Sequence, residues 1–315
     1  MPTAAPRDFR SIVIEQHLEK MFQAIVTAKS IDRAAYQAKF DKFAADATKL
    51  NDTFLQARVY SVRGTFHLTI SELAEAKRCY VEARACYLAA GAIDRVIGME
   101  SNLGLMEMQR GNYAESIVIF RDSLSRLDPD DPNSKFSISN IAINLSMALM
   151  ACNEYGEALH WLEQTLLNYG ETLEFLRTRV DDGVYIIEQR VLLGMAQLGV
   201  GLVSEAIDSV RLARDFIRHI DMSYARLLSL VLLLRLTAGG HLKGAIDELL
   251  TQIDSEIVPP AHLYVFATLR EEGRYYAHHG KLDLARWFGE RALAESTSLH
   301  SDELIATARP LLAGV

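Results

Sequence analysis

One stretch of the sequence decides the fold: residues 102–129 read NLGLMEMQRGNYAESIVIFRDSLSRLDP. The small residue Gly104 is followed twelve positions later by another small residue, Ser116, and four positions after that by Phe120. Two antiparallel helices approach closely only where their side chains are small, and bulky residues one turn away fill the space beside the crossing. The stretch therefore predicts a helical hairpin that ends at Asp128-Pro129.

The same spacing recurs along the chain. The six pairs of crossing residues are Gly64 and Ala76, Gly104 and Ser116, Ser146 and Ala158, Gly194 and Ala206, Leu233 and Ala245, and Gly273 and Ala285. Leu233 departs from the pattern, and we expect its apolar helix to be buried nearly all round. Glycine favours the left-handed backbone that ends a helix. The glycines expected in the turns are Gly111, Gly156, Gly201, Gly240 and Gly280.

This pattern resembles the tetratricopeptide repeat family over roughly residues 54–298. The crossing residues are 39 to 48 positions apart, whereas the usual unit has about 34 residues. The resemblance implies an all-α fold, a right-handed superhelical solenoid of antiparallel helix pairs with about six to seven hairpins. Residues 1–53 are then an N-terminal capping helix pair, residues 54–299 the six repeats, and residues 300–315 a C-terminal capping helix. The longest spacing predicts extra residues within 168–182, and Asn112 with Glu115 predicts a capping box.

Composition and charge exclude several classes of function. The formal net charge is −8 and there is no run of Lys and Arg, whereas nucleic-acid binding depends on basic contacts to phosphate. The most apolar stretch, residues 227–238, is shorter than the roughly 20 residues that a membrane span needs. The N-terminus lacks the apolar core of a signal peptide. The three cysteines form no CxxC pair. We therefore expect a cytoplasmic protein. The sequence does not decide between a monomer and a homo-oligomer.

Catalytic and metal-binding patterns are weak. Gly199-Val200-Gly201 follows no strand, so it is interpreted as a helix turn rather than a dinucleotide loop. The run Asp128, Asp130 and Asp131 has Pro132 where a calcium loop needs an oxygen ligand. The neighbours His278 and His279 point about 100° apart on a helix, which disfavours a shared metal ion. Asp181-Asp182 lacks the partner acids of a diphosphate site. The sequence predicts no enzyme, no metal and no cofactor.

A binding surface remains as the expected functional feature. In a solenoid the first helix of each hairpin faces the concave side. Asn102 and Asn144 each precede a crossing residue by two positions, and Asn140 lies one turn before Asn144. The family resemblance implies that asparagines at this place bind the main chain of an extended peptide. Arg270 and Arg274 are expected on the same side, where they hold a carboxylate or pair with Glu271.

Two functional hypotheses follow. The first is a non-enzymatic scaffold or adaptor that holds a protein or peptide segment on its concave face. The second is a sensory or regulatory module of a bacterial-type signalling or transcription-regulatory protein, whose output domain is supplied elsewhere. A scaffold binds its partner directly, whereas a regulator changes state when its ligand arrives.

Overall fold

The fold is all-α. The structure is a computed structural model that describes residues 8–26, 32–131, 134–169, 180–217, 223–257 and 263–313. Within these ranges the regular structure is helical and contains no strand, which confirms the predicted fold class. The helices are α1 (Phe9–Val26), α2 (Arg33–Lys49), α3 (Thr53–Thr69), α4 (Leu73–Ala89), α5 (Ile93–Gln109), α6 (Tyr113–Ser125), α7 (Lys135–Ala151), α8 (Tyr155–Tyr169), α9 (Val180–Gly199), α10 (Val203–Ile217), α11 (Ser223–Ala238), α12 (Ile246–Glu256), α13 (Leu263–His278), α14 (Leu282–Ser298), α15 (Asp302–Ala308) and α16 (Pro310–Ala313).

Consecutive helices pack as hairpins. Contacting pairs of this kind are α3 with α4, α7 with α8, α9 with α10, α11 with α12, and α13 with α14. The first helices of neighbouring hairpins also touch, so α7 contacts α9, α9 contacts α11, and α11 contacts α13. This stacking sets four first helices side by side.

Small residues lie at the helix crossings. The Ser146 hydroxyl donates a hydrogen bond to the Ala158 carbonyl across its hairpin at 3.3 Å. A methyl group added at Gly194 would lie 2.6 Å from Leu232 Cδ2 and 3.4 Å from the Ala206 carbonyl oxygen. At Gly64 the Tyr80 ring occupies the space where a side chain would stand. The other small residues of the pattern are buried as well: Ala76, Gly104, Ser116, Gly273 and Ala285.

The fifth hairpin departs from the pattern, and the prediction for Ala245 is wrong. Ala245 is exposed and lies just before α12, in an extended conformation with φ −92° and ψ 117°. After Gly240 the chain runs through residues 241–245 without helix, so α12 begins too late to bring Ala245 to a crossing. The helix before the turn, α11, is buried on nearly all sides, as expected, and Leu227, Val231 and Leu234 are fully buried.

Left-handed residues end most of the helices. Gly111, Gly201, Gly240 and Gly280 have φ between 68° and 84°. The expectation for Gly156 is wrong, because it is the second residue of α8 and Asn153, with φ 63°, makes that turn. Asn112 precedes α6 as expected, but its side chain makes no capping hydrogen bond.

The chain forms two compact units. Unit 1 comprises Met1–Glu107 with Leu299–Ser301, and unit 2 comprises Met108–Ser298 with Asp302–Val315. In unit 1 the helices α1 and α2 both pack against α3. Their shared core includes Leu18, Phe40, Leu55 and Phe66, each fully buried.

The C-terminal helix predicted for residues 300–315 is two short helices instead. Pro310 has no N–H group to continue the hydrogen bonding of α15, so the chain turns there and α16 begins. Both short helices pack on α14. Most of the extra segment predicted within 168–182 lies outside the described residues.

Candidate functional site

Unit 2 contains a cavity of about 380 Å³, within the range of small-ligand sites. It is lined mainly by the inward faces of α7, α9, α11 and α13, together with the start of α16. We call these four helix faces the inner face of unit 2. The inner face arises because the first helices of successive hairpins stand side by side.

The floor of the cavity is apolar and rich in methionine. The apolar lining residues on the inner face are Met147, Met150, Ala151, Leu192, Met195, Leu228, Ala267 and Ala277. Methionine side chains are flexible and polarizable, so they adapt to ligands of different shape. Leu311 of α16 closes one side, where it lies over Gly273 and Gly289 on α13 and α14.

A buried arginine forms one wall of the cavity. Arg270 of α13 is 2 % exposed. Its Nη2 donates to the Met108 carbonyl at 3.1 Å and to the Tyr113 hydroxyl at 2.7 Å, and its Nη1 donates to the Gln109 carbonyl. Met108 and Gln109 are the last residues of α5 and belong to unit 2. A cation at a helix C-terminus satisfies carbonyls that have no partner within the helix.

Glu271, which also lines the cavity, accepts a hydrogen bond from this arginine. Its Oε1 accepts a hydrogen bond from Arg270 Nε at 2.8 Å and another from the Tyr113 hydroxyl. Burial and the Glu271 carboxylate raise the pKa of Tyr113, so this phenol stays protonated and keeps donating. The exposed Arg274 reaches Glu271 Oε2 only at 3.4 Å and lies over the Tyr113 ring, 4.8 Å from its centroid.

A second buried ion pair crosses the inner face. Arg235 of α11 binds Glu272 of α13 through two hydrogen bonds of 2.9 and 2.5 Å, and both residues are below 10 % exposure. The Arg235 guanidinium also stacks on the Tyr275 ring at 3.8 Å from its centroid. Burial raises the pKa of Glu272, and Arg235 opposes that shift. The two-fold hydrogen bonding offsets the cost of burying both charges.

The predicted site residues fall in different places. Arg270 and Arg274 both line the cavity, but four of the five N–H donors of Arg270 are used within the protein. Asn140 and Asn144 lie on α7, outside the lining residues, and are partly buried. They share a helix face with Met147 and Ala151, which do line the cavity. Asn102 is partly buried on α5 in unit 1.

Sequence reasoning missed most of the polar wall. Tyr113, Arg235 and Glu272 were not predicted as site residues, although Arg235 is the single charged residue in the most apolar stretch of its helix, residues 227–238. A charged residue in such a helix needs a partner. That rule was the signal available in the sequence, but it does not say which acid supplies the partner.

Two negative findings apply to the part of the chain that the structure describes. No group of three or more His, Cys, Asp or Glu residues is placed to hold a metal ion. No helix there is both long enough and apolar enough to cross a membrane.

The stacked hairpins define the class of protein, a helical-repeat protein. Residues 140–173, which contain α8 and most of α7, match the family model described as Tetratricopeptide repeat. The match supports the predicted resemblance to the tetratricopeptide repeat family over this part of the chain. The chain matches no curated protein.

Proposed function

We propose that this protein is a non-enzymatic scaffold whose unit 2 binds a short extended segment of a protein partner. The single observation that carries the proposal is the cavity, because it joins a methionine-rich floor to a rigid polar wall on the inner face. Tetratricopeptide repeats are generally protein-interaction modules, and the cavity supplies a place for the segment's apolar side chains.

The asparagines of α7 extend this surface beyond the cavity. Asn140 and Asn144 lie two turns and one turn before Met147 on the same helix face. An amide side chain both donates and accepts hydrogen bonds, so it can pair with a peptide main chain of any sequence. In this proposal the side chains of the bound segment enter the cavity while Asn140 and Asn144 hold its main chain.

The regulatory alternative is favoured by one further feature. The short helix α16 contributes Pro310 and Leu311 to the cavity lining, so a ligand that enters the cavity contacts the C-terminal part of the described chain. A ligand that moves α16 would convert binding into a change of state, as a sensory module in a signalling system requires. A scaffold would bind without that movement.

The experiment is a selection of peptides from a random display library on the full chain, followed by calorimetry with the selected peptides. Ala151→Phe should fill the cavity and reduce affinity at least about tenfold. The double change Asn140→Ala with Asn144→Ala should weaken binding by about tenfold, since each lost hydrogen bond contributes about 0.5–1.5 kcal/mol. Asn102→Ala tests the predicted role of that residue separately.

The matched control is Ala294→Phe, at an exposed position on α14, which should bind like the parent. Circular dichroism establishes that each variant keeps its helices. Unchanged affinity in both Ala151→Phe and the double asparagine variant would place the binding site elsewhere. A change in protease cleavage near α16 on ligand addition would favour the regulatory alternative.

A further inference from the structure

Three residues stand one helical turn before the cavity on the inner face. Glu188 of α9, Tyr224 of α11 and Tyr264 of α13 each precede a cavity-lining residue by four positions. The lining residues that follow them are Leu192, Leu228 and Thr268. Because residues four apart share a helix face, these three side chains continue the inner face beyond the cavity.

The three residues form one cluster. The rings of Tyr224 and Tyr264 lie 6.0 Å apart between centroids. The Tyr224 hydroxyl is 3.2 Å from the Thr268 hydroxyl, which ties the cluster to the cavity. The Glu188 charge acts on both phenols, and together with burial it raises the pKa of Tyr224 and of Tyr264.

Glu188 has no partner of opposite charge in this cluster. Among the described residues its carboxylate makes no hydrogen bond and no ion pair, and burial alone raises its pKa to about 7. A buried carboxylate is stabilised by a nearby cation, and aromatic faces also attract cations. The cluster therefore has the chemistry of a subsite for an ammonium or guanidinium group.

The opposite end of the inner face carries surplus positive charge. Three arginines and two glutamates are among the residues that line the cavity. Arg235 is matched by Glu272, and Glu271 already accepts two hydrogen bonds, from Arg270 and Tyr113. Arg274 is about half exposed, and its link to Glu271 is long. A carboxylate can therefore bind Arg274 without leaving Glu271 unpaired.

The two ends are separated by a defined length. Tyr264 and Arg274 are ten residues apart on α13, which corresponds to about 15 Å at 1.5 Å per residue. An extended peptide rises about 3.3 Å per residue. A segment of about five residues thus spans the distance, with its central side chains over the methionine-rich floor.

We propose that unit 2 selects a dipolar ligand, a peptide of about five residues whose cationic group binds among Glu188, Tyr224 and Tyr264 and whose carboxylate binds Arg274. The proposal rests on the proposed function, because it assumes that the cavity holds a peptide. It adds the direction in which the peptide lies, with the cationic group near α9 and the carboxylate near the C-terminal part of α13. The two charges can come from free termini or from Lys, Arg, Asp and Glu side chains.

The test compares pentapeptide pools that differ only in their ends. Each position of the peptides carries Ala, Val, Leu, Met or Phe. There are four pools: one with both ends free, one with the amine acetylated, one with the carboxylate amidated, and one with both ends blocked. Retention on the immobilised full chain is measured by mass spectrometry. We expect blocking either end to reduce retention about tenfold, as for the loss of a charge-assisted hydrogen bond. A doubly blocked pool with Lys first and Asp last tests the side-chain source of the charges.

Variants then assign each end to its residue. Glu188→Gln should remove the preference for a free amine and keep the preference for a free carboxylate, and Arg274→Gln should do the reverse. Arg274→Lys should retain part of the carboxylate preference. The matched controls are Glu163→Gln on α8 and Arg211→Gln on α10, both exposed, which should keep both preferences.

The possible outcomes separate the two proposals. Equal retention of all four pools would overturn the dipolar ligand and leave the proposed function standing. Retention of no pool, including the pool with Lys and Asp, would overturn both. End preferences that persist in both Glu188→Gln and Arg274→Gln would show that other residues bind the charges, and would overturn the assignment.

Discussion

Replacing Glu188 with glutamine should stabilise unit 2 above neutral pH and leave its stability unchanged in acid. The Glu188 carboxyl has a pKa of about 7 in the folded chain, against 4.5 when it is unperturbed. Below pH 4.5 it is protonated in both the folded and the unfolded chain, so glutamine is an equivalent of the acid. Between pH 4.5 and about 7 the unfolded chain releases the proton while the folded chain keeps it. The free energy of unfolding of the parent therefore falls as pH rises.

The size of the effect follows from the two pKa values. At 1.36 kcal/mol per pH unit, the interval from 4.5 to about 7 corresponds to at most about 3 kcal/mol. Glu188 keeps part of its surface in contact with water, so screening reduces this figure and we expect about 1–3 kcal/mol. Tyr224 and Tyr264 face the carboxyl, and the raised pKa of each phenol keeps both neutral over this range.

The assay is thermal unfolding followed by circular dichroism, at pH 5 and at pH 8. In a unit of this size 1 kcal/mol shifts Tm by about 2–4 °C, so Glu188→Gln should raise Tm by about 2–12 °C at pH 8 and by much less at pH 5. The control Glu163→Gln should match the parent at both values. A Tm gain that is equal at pH 5 and pH 8, or that is missing at pH 8, would refute the reasoning.

Two further predictions concern the packing of unit 2. Arg235→Ala leaves Glu272 buried without its cation and should destabilise unit 2 by about 3–5 kcal/mol in urea unfolding. The joint change Arg235→Met with Glu272→Leu removes both charges and should be close to neutral in the same assay. Equal destabilisation by the two variants would contradict the inferred ion pair. Gly194→Ala places a methyl group 2.6 Å from Leu232 Cδ2 and 3.1 Å from Ser209 Cβ, and the overpacking should cost about 1–3 kcal/mol in the same assay. An unchanged unfolding midpoint for Gly194→Ala would show that α9 and α11 can separate freely.

The local parts of the fold could be predicted from the sequence. Helix crossings need small residues, and that requirement lies within about twelve positions of the chain, as the hydrogen bond from Ser146 to Ala158 illustrates. The prediction failed at Ala245 because residues 241–245 continue the turn beyond Gly240. The twelve-residue spacing of small residues does not predict where the turn ends and the second helix begins.

The polar wall of the site could be predicted only in part. Arg270 was expected on the inner side, but its hydrogen bonds to Met108 and Gln109 join residues more than 160 positions apart. Whether an inward arginine binds a ligand or another helix depends on contacts between residues far apart in the sequence. No local pattern in the sequence encodes those contacts. The ion pair of Arg235 with Glu272 could not be predicted for the same reason, because the two residues are 37 positions apart.

The contact of Arg270 with the end of α5 also bears on how unit 2 folds. In an open array of repeats each hairpin touches only its neighbours, so the end hairpins can unravel on their own. Here Arg270 donates hydrogen bonds to the carbonyls of Met108 and Gln109, and Arg110 forms an ion pair with Glu303 of α15. These links between distant parts of the chain form only after the intervening hairpins are in place, which favours slow, all-or-none folding over stepwise growth. Native-state hydrogen exchange should then show α7, α9, α11 and α13 opening together rather than in order from one end.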